Sequence, residues 1–238
     1  MAHTARRRDV NPAREGAQMG KVLALVRRAE GMDRAAFGTA YLGFARNVAA
    51  APGVERCIAN LVDVPAGEAG LRPGGEPAFD AVVELWTDGA TDPVALLAEP
   101  AGLTGECHVY RVDEKVERDY GRTWPAGERS PGVKSFFLAL RHPEMSHDQF
   151  AAYWGGQHAP LALKIHVGMW RYTRNVVAEA LTPGAPDWDG MAILHFRTAL
   201  DLRERFYDSD EGRAAIAADI AKFSGGGRAL HSSEWVLK

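Results

Sequence analysis

An internal repeat is the sequence feature that most constrains how this chain can fold. Distinctive residues recur in the same order along the 238-residue sequence, first at a spacing of 113 positions (134 − 21) and later at 115 (171 − 56). The longer spacing indicates a two-residue insertion between a helix and the strand that follows it in the second copy. A period this long indicates duplication of one complete structural unit rather than a solenoid of short repeats. The equivalent pairs are Lys21 and Lys134, Met32 and Met145, Phe37 and Phe150, Arg56 and Arg171, and Asn60 and Asn175.

Each copy shows the pattern strand, helix, strand, strand, helix, strand, which is that of a ferredoxin-like unit. In the second copy, Ser146 and Gln149 have the spacing of a capping box and predict the start of the first helix. Pro160 cannot continue a regular helix, so we expect this helix to end near His158 or Ala159.

These patterns divide the chain into four segments. Residues 1–19 lack apolar periodicity and are expected to form a disordered tail. The first copy spans residues 20–119, a polar and turn-rich linker spans 120–131, and the second copy spans 132–238. The predicted fold class is therefore α+β, with two four-stranded antiparallel sheets that each carry helices on one face.

Composition and motifs exclude several classes of function. The sequence is 46% hydrophobic and 25% charged, as expected of a globular protein with a sizeable core. A formal net charge of −3 gives no basic footprint for nucleic acid, and no apolar run approaches the ~20 residues of a membrane span. Cys57 and Cys107 form no redox or metal-binding motif, so we expect free thiols and a cytoplasmic location. The histidines are not spaced as metal ligands and no nucleotide-binding loop is present, so we predict neither a metal nor a cofactor.

Several residues of the second copy form a fairly specific signature together, although none of them would be informative alone. They are Arg141, Phe150, Tyr153, Trp154, His158, Ala159, Pro160, Arg171, Tyr172 and Asn175. This signature resembles that of the EthD family of the dimeric α+β barrel superfamily. The resemblance is strong over residues 134–223 and much weaker in the first copy, which is therefore a degenerate repeat. In this family, two subunits usually press the apolar faces of their sheets together into a barrel. The resemblance implies one pseudo-dimeric barrel closed within a single chain. A monomer is therefore sufficient to form the barrel, and a homodimer is the alternative.

The resemblance also implies an enzyme that acts on a small apolar compound, aromatic or carbonyl-containing, without a cofactor. Barrels of this kind carry out dehydration, cyclisation, decarboxylation or isomerisation with a few histidine, tyrosine and asparagine side chains. Two alternatives stay open. One is a cofactor-free monooxygenase of aromatic or polyketide-like substrates, and the other is a non-catalytic carrier of a hydrophobic small molecule.

His158 is the first candidate for a catalytic residue. An imidazole titrates near neutral pH and therefore suits proton transfer. Tyr153 lies close to His158 along the predicted helix and is its expected partner. The first copy has Ala45 at the equivalent position. A histidine that only locked the loop would be useful in both copies, so the difference favours catalysis over a structural role.

His195 is the second candidate, on a predicted strand whose two faces are both apolar. Such a histidine either lines a cavity or is satisfied within the core, and the sequence leaves both possibilities open. Trp86 occupies the equivalent position in the first copy, so the core does not require a polar group there. Nearby, Glu84 of the first copy is a possible base, and its counterpart in the second copy is Ile193.

Six further residues are candidates for binding the substrate. Aromatic side chains could form walls, an asparagine could donate to a substrate oxygen, and a histidine in a glycine-containing loop could close over the pocket mouth. A structural role is the main alternative for each, and for His166 that alternative is an exposed surface loop. A pair between Arg171 and Asp189 is expected to be structural. The six candidates are Trp154, His166, Trp170, Tyr172, Asn175 and Glu84.

Overall fold

The computed structural model describes residues 20–65, 67, 76–98 and 102–238, and every structural statement below refers to these residues. The predicted tail, residues 1–19, lies outside them. Within the described ranges, no helix is both long enough and apolar enough to cross a membrane.

Both halves of the chain follow the same order of strands and helices. In the first half the elements are β1 (Gly20–Arg28), α1 (Arg34–Ala50), β2 (Val54–Leu61), β3 (Ala81–Thr87), α2 (Pro93–Leu97) and β4 (Thr104–Arg118). In the second half they are β5 (Val133–Arg141), α3 (His147–Tyr153), a π turn (Trp154–His158), α4 (Ala159–Ile165), β6 (Met169–Ala180), β7 (Gly190–Phe196), α5 (Ala199–Glu204), α6 (Asp210–Phe223) and β8 (Ser224–Val236). The second half therefore carries the larger helical layer.

The eight strands form one closed barrel in the order β1-β3-β2-β8-β5-β7-β6-β4. Neighbouring strands are antiparallel, and the two halves join where β2 pairs with β8 and where β4 pairs with β6. The predicted α+β class, with both sheets closing into one barrel, is confirmed. The repeated order of elements supports a duplication, which stays an interpretation, and the segment boundaries stay a prediction.

Side chains alternate along each strand between the barrel interior and the helix-covered outside. Outside the barrel, α1 packs on the first half, whereas α4, α5 and α6 pack on β5, β6 and β7 of the second half. Each half therefore buries both faces of its sheet. The apolar interior is contributed by both halves and includes Leu23, Tyr110, Phe136, Met191 and Leu230.

Part of the barrel interior holds a charge cluster, formed by Glu84, Lys21, Lys134, Glu114 and Glu234. Glu84 accepts a hydrogen bond from Lys21 at 2.9 Å and another from Lys134, so it binds one lysine of each half. Lys21 also donates to Glu114 at 2.6 Å, and Lys134 also donates to Glu234. Burial alone would raise the pKa of Glu84, but the two ammonium groups hold it well below its usual value. The charge cluster therefore joins the two halves inside the barrel.

The helix that begins with the predicted capping box continues beyond the expected end. The capping box itself is present at the start of α3. The chain then passes through the π turn and α4 to Ile165, so an end near His158 or Ala159 is wrong. The N–H of Ala159 donates to the carbonyl of Trp154, five residues back. Pro160 lies in the first turn of α4, where its missing N–H is tolerated because the wider turn has already interrupted the regular pattern.

The expected pair between Arg171 and Asp189 is also wrong. Asp189 lies just before β7 and pairs with Arg141 at the end of β5. Arg171 pairs with Asp119, with 2.8 Å between Nε and Oδ1. Because β6 runs antiparallel to β7, Arg171 at the start of β6 lies beside the end of β7, far from Asp189.

Candidate active site

A cavity of about 480 Å³ lies between the sheet and the helices of the second half. Its floor is the outer face of β5, β7 and β8, and its roof includes the π turn, α4 and α6. Most of the lining is apolar, which favours a hydrophobic ligand. The apolar walls include Phe137, Trp154, Leu194, Phe206, Ile216 and Phe223.

The local sequence explains why the cavity lies in this half. Helix α2 of the first half has only 5 residues, whereas α6 has 14 and can roof a cavity. Gly226 and Gly227 at the start of β8 border the cavity without adding side chains to it. A Cβ atom at Gly190 would lie 2.3 Å from the ring of Trp154, so β7 needs glycine there for the tryptophan to form the wall.

His158 lines the cavity from the last position of the π turn. Its Nδ1 lies 2.8 Å from Oδ2 of Asp219 on α6. Since a carboxylate only accepts hydrogen bonds, Nδ1 carries the proton and Nε2 keeps the lone pair. No hydrogen bond within the described part of the chain occupies Nε2, and His158 lines the cavity, so this nitrogen is available to a ligand that binds there. The imidazole is thus arranged as a base.

Burial keeps His158 neutral near neutral pH. It lowers the pKa of the imidazole, and this effect outweighs the opposite influence of Asp219. The positive charge of Arg174 acts in the same direction as burial. A neutral imidazole with a free lone pair can accept a proton from a bound ligand.

Tyr153 contacts the same carboxylate from outside the cavity. Its hydroxyl donates to Oδ1 of Asp219 at 2.7 Å, and this bond raises the pKa of Tyr153 to about 12. Its ring stacks on Phe223, with 5.5 Å between centroids. Tyr153 does not border the cavity. It therefore reaches His158 through Asp219 rather than by touching a ligand.

His166 also lines the cavity, just after α4. Its side chain is buried, so the alternative of an exposed surface loop is wrong. Nδ1 lies 2.5 Å from the carbonyl oxygen of Phe206 and therefore carries the proton. Burial lowers the pKa of His166 to about 4, so the ring stays neutral and offers a ligand a hydrogen-bond acceptor rather than a charge.

Trp154 and Tyr172 form one wall of the cavity. Nε1 of Trp154 donates to the hydroxyl oxygen of Tyr172 at 2.9 Å. This bond leaves the proton of the Tyr172 hydroxyl for another acceptor. Burial raises the pKa of Tyr172, so the group remains a donor at neutral pH.

His195 faces the barrel interior, on the opposite side of β7 from the cavity. Its Nδ1 lies 3.1 Å from the hydroxyl of Tyr120, and its Nε2 lies 2.9 Å from the carbonyl oxygen of Pro131. Both nitrogens are therefore occupied by the segment that connects the two halves. Trp170 stacks on Tyr120, with 4.0 Å between centroids, and does not border the cavity either.

Asn175 and Glu84 also face the barrel interior. Nδ2 of Asn175 donates to the carbonyl of Met191 at 3.0 Å. Its counterpart Asn60 donates to the carbonyl of Val82, also at 3.0 Å, which indicates a role in the fold. Glu84 belongs to the charge cluster. Of the residues that the sequence nominates, the structure brings together at the cavity His158, Trp154, His166 and Tyr172.

Asp219 is the site residue that the sequence analysis missed. It is 6% exposed and accepts from both His158 and Tyr153. An acidic residue on a helix usually belongs to its solvated face. The available signal is the spacing, because Asp219 follows Ile216 by three positions and precedes Phe223 by four, which places a carboxylate on the apolar face of α6.

The polar groups at the cavity suit proton transfer and hydrogen bonding. The polar residues that line it are His158, His166, Tyr172, Tyr207, Ser224 and Arg228. In the described ranges, no group of three or more His, Cys, Asp or Glu side chains is placed to hold a metal ion.

Comparisons with known proteins agree with this architecture. Residues 142–227 match the EthD domain family, and no curated protein matches the chain in sequence. Among solved structures, the chain is similar to an anthrone oxidase-like protein, with a TM-score of 0.58 and 13% sequence identity, over 94% of this chain and 93% of that one. It is also similar to a proposed monooxygenase from Fusobacterium nucleatum subsp. nucleatum, with a TM-score of 0.52 and 8% identity, over 92% of each chain. The expected resemblance is thus confirmed for residues 142–227, which match the EthD domain family, and the chain folds as a closed α+β barrel.

Proposed function

We propose that this protein is a cofactor-independent oxygenase in which His158 removes an acidic proton from a small aromatic carbonyl compound. The observation that carries this conclusion is a mostly buried imidazole that lines an apolar cavity, with Nδ1 held by Asp219 and Nε2 without a partner among the described residues. The carboxylate keeps the tautomer in which Nε2 can accept a proton. A positioned general base typically contributes about a hundredfold to ten-thousandfold in rate.

The chemistry of the cavity lining suits this class of substrate. A volume of about 480 Å³ accommodates a small organic molecule, and its apolar walls favour aromatic rings. The hydroxyl of Tyr172 can donate to a carbonyl or phenolate oxygen, and Nε2 of His166 can accept from a substrate hydroxyl. A donor placed at the developing oxyanion would stabilise the anion that His158 creates.

Dioxygen is the oxidant in the proposed reaction. His158 takes the first proton from a methylene carbon flanked by aromatic rings, and the resulting carbanion passes electrons to O₂. A hydroperoxide forms on that carbon when the proton returns to the terminal oxygen. Removal of the second C–H proton then breaks the O–O bond. The products are a ketone and water, each of which receives one oxygen atom.

The two solved structures support oxygenation as the fate of the carbanion, because one is described as anthrone oxidase-like and the other as a proposed monooxygenase. The same proton abstraction would also begin a dehydration, cyclisation, decarboxylation or isomerisation. A cavity that binds without turnover would belong to a carrier. These alternatives are separate outcomes of the following experiment.

The test compares His158→Gln with the unchanged protein on a panel of anthrones that differ in their ring substituents. We expect oxygen uptake by the unchanged protein and a loss of about a hundredfold or more in kcat in the variant. Ligand affinity, measured by quenching of tryptophan fluorescence, should change far less because the apolar walls remain. His142→Gln, in the turn after β5, is the matched control and should keep full turnover.

The pH dependence follows from the protonation of His158. The base is active when neutral, so kcat/KM should fall as the pH decreases through the lowered pKa of His158 and should be flat above it. Turnover without oxygen uptake would indicate a lyase or an isomerase. Binding without turnover, with affinity kept in the variant, would indicate a carrier. Full oxygenase activity in His158→Gln would exclude His158 as the base.

A further inference from the structure

We propose that Tyr153 and Asp219 are positioning residues that hold His158 as a neutral base, with Nε2 turned into the cavity. This role presupposes the function proposed above for His158 and concerns the control of its orientation and charge. The three side chains form one chain of hydrogen bonds. Tyr153 donates to Oδ1 of Asp219 at 2.7 Å, and Nδ1 of His158 donates to Oδ2 at 2.8 Å. Both oxygens of the carboxylate are therefore occupied.

The π turn makes this chain of hydrogen bonds possible. In a regular α-helix, residues five positions apart point about 140° away from each other. In the π turn, the backbone hydrogen bond itself spans five residues, from Ala159 back to Trp154, so residues five apart lie on the same face. Tyr153 and His158 are five positions apart and reach the two oxygens of one carboxylate. A regular helix would turn one of them away from Asp219.

The carboxylate of Asp219 is mostly shielded from solvent, so its charge acts mainly on His158. Its side chain is 9% exposed. A carboxylate buried to this degree needs hydrogen-bond donors on both oxygens, and Tyr153 and His158 supply them. Because α6 also roofs the cavity through Ile216 and Phe223, Asp219 is fixed by the same packing that shapes the ligand space.

Tyr153 limits how strongly Asp219 favours a positive charge on His158. A donor on one carboxylate oxygen disperses its negative charge, so less of that charge stabilises an imidazolium. Burial and Arg174 both oppose the imidazolium. The ring therefore stays neutral although a carboxylate touches it. The titratable and charged groups around His158 and the cavity are Asp219 on α6, Tyr153 on α3, His166 after α4, Arg174 and Tyr172 on β6, Glu117 on β4, Arg228 on β8, and Tyr207 and Asp208 before α6.

The variant Tyr153→Phe tests the contribution of the tyrosine. Without the hydroxyl, Asp219 keeps its full charge opposite His158, so the pKa of His158 should rise. The acid limb of kcat/KM against pH should move to higher pH, while the plateau stays within about threefold of the unchanged protein. Tyr110→Phe loses a hydrogen bond of 2.9 Å from its hydroxyl to the carbonyl of Pro186 and is the matched control. It should leave the acid limb in place.

The variant Asp219→Asn should act in the opposite direction. Its neutral amide cannot favour an imidazolium, so the pKa of His158 should fall. An amide nitrogen facing Nδ1 also favours the tautomer with the proton on Nε2, which cannot accept a proton from a ligand. We expect kcat to fall about a hundredfold or more and KM to change much less.

An NMR titration of the ring nitrogens of His158 measures both effects without any substrate, with His158→Gln identifying the signals. Opposite shifts of the titration in Tyr153→Phe and Asp219→Asn, with the proton on Nδ1 in the unchanged protein, would support these roles even if no oxygenase activity is found. An unchanged titration in Tyr153→Phe, with a loss of melting temperature like that of Tyr110→Phe, would make the contact merely structural and would overturn the proposal. If Asp219→Asn does not fold, the titration of His158 in Tyr153→Phe decides between these two outcomes by itself.

Discussion

At the scale of the residue, His158 and His195 look alike in the sequence because both lie among apolar neighbours, yet their surroundings in the structure are opposite. His158 lines a cavity and is bonded through one nitrogen, and the other has no partner among the described residues. His195 is bonded through both nitrogens, to Tyr120 and Pro131, and burial lowers its pKa. A ring whose two nitrogens are both occupied is a satisfied core histidine.

We therefore expect His195→Ala to lower stability and to leave turnover nearly intact. The change leaves the Tyr120 hydroxyl and the Pro131 carbonyl without their partner in buried surroundings, which costs about 2–4 kcal/mol in the free energy of unfolding. Urea unfolding and kcat would be measured on the same preparation, and His158→Gln should show the reverse pattern. A variant of unchanged stability that has lost turnover would make His195 a catalytic candidate again.

At the scale of the element, the π turn determines where the site residues point. It places Trp154 in the cavity wall and His158 at the ligand space, while α3 and α4 continue on either side of it. Its two glycines have different surroundings. A Cβ atom at Gly155 would lie 3.0 Å from the guanidinium of Arg174, whereas a Cβ atom at Gly156 would have no other atom within 4 Å. A larger residue would therefore crowd a neighbouring side chain at the first position only.

We expect Gly156→Ala to stabilise the protein by about 0.5–1 kcal/mol, because alanine restricts the unfolded chain and meets nothing in the folded one. Gly155→Ala should be less stable than Gly156→Ala by about 1 kcal/mol or more, since its methyl group displaces Arg174 from Glu117. Thermal unfolding of the two variants side by side measures the difference. Equal melting temperatures would contradict this account of the turn.

At the scale of the whole molecule, the two halves meet inside the barrel through buried charges as well as through apolar side chains. Glu84 of the first half lies between Lys21 and Lys134, one from each half. Loss of one partner from a buried cluster leaves the remaining charges uncompensated. Exposed pairs such as Arg111 and Glu179, 3.0 Å apart, lack this dependence because water solvates both groups.

We expect Glu84→Gln to cost about 3–5 kcal/mol in the free energy of unfolding, against less than about 1 kcal/mol for the matched control Glu179→Gln.

Since the pKa of Glu84 is depressed in the folded state, the stabilisation that Glu84 contributes is present above its pKa in the unfolded chain. It is lost as the pH falls through its pKa in the folded state. Glu84→Gln should therefore lose less stability than the unchanged protein on acidification below pH 4.5. Urea unfolding at pH 7 and in acid measures both effects. If both variants lose equally little free energy of unfolding, the charge cluster does not hold the halves together.

The features that could be predicted from the sequence are those encoded by local pattern and by period. The capping box at Ser146 and Gln149 predicts the start of α3 because its hydrogen bonds join residues three positions apart. The repeat predicts two units of one topology, and an apolar face on each sheet requires a partner, which the other half supplies. The end of the helix could not be predicted in the same way. A π turn before Pro160 lets the helix continue, and the unfavourable free energy of that turn is offset only by the surrounding packing.

Which of the nominated residues border the cavity was decided by the tertiary structure. Alternation separates Leu194 from His195 on β7, but both faces of this strand are covered, so the sequence does not indicate which face borders a cavity. The sequence nominates His158 as a candidate, whereas its hydrogen-bond partner Asp219 lies 61 positions further on and meets it only when α6 packs on the π turn. Local propensity determined the elements because it acts between near neighbours. The site depends on the gap between the sheet and its helices, which exists only after those elements have packed.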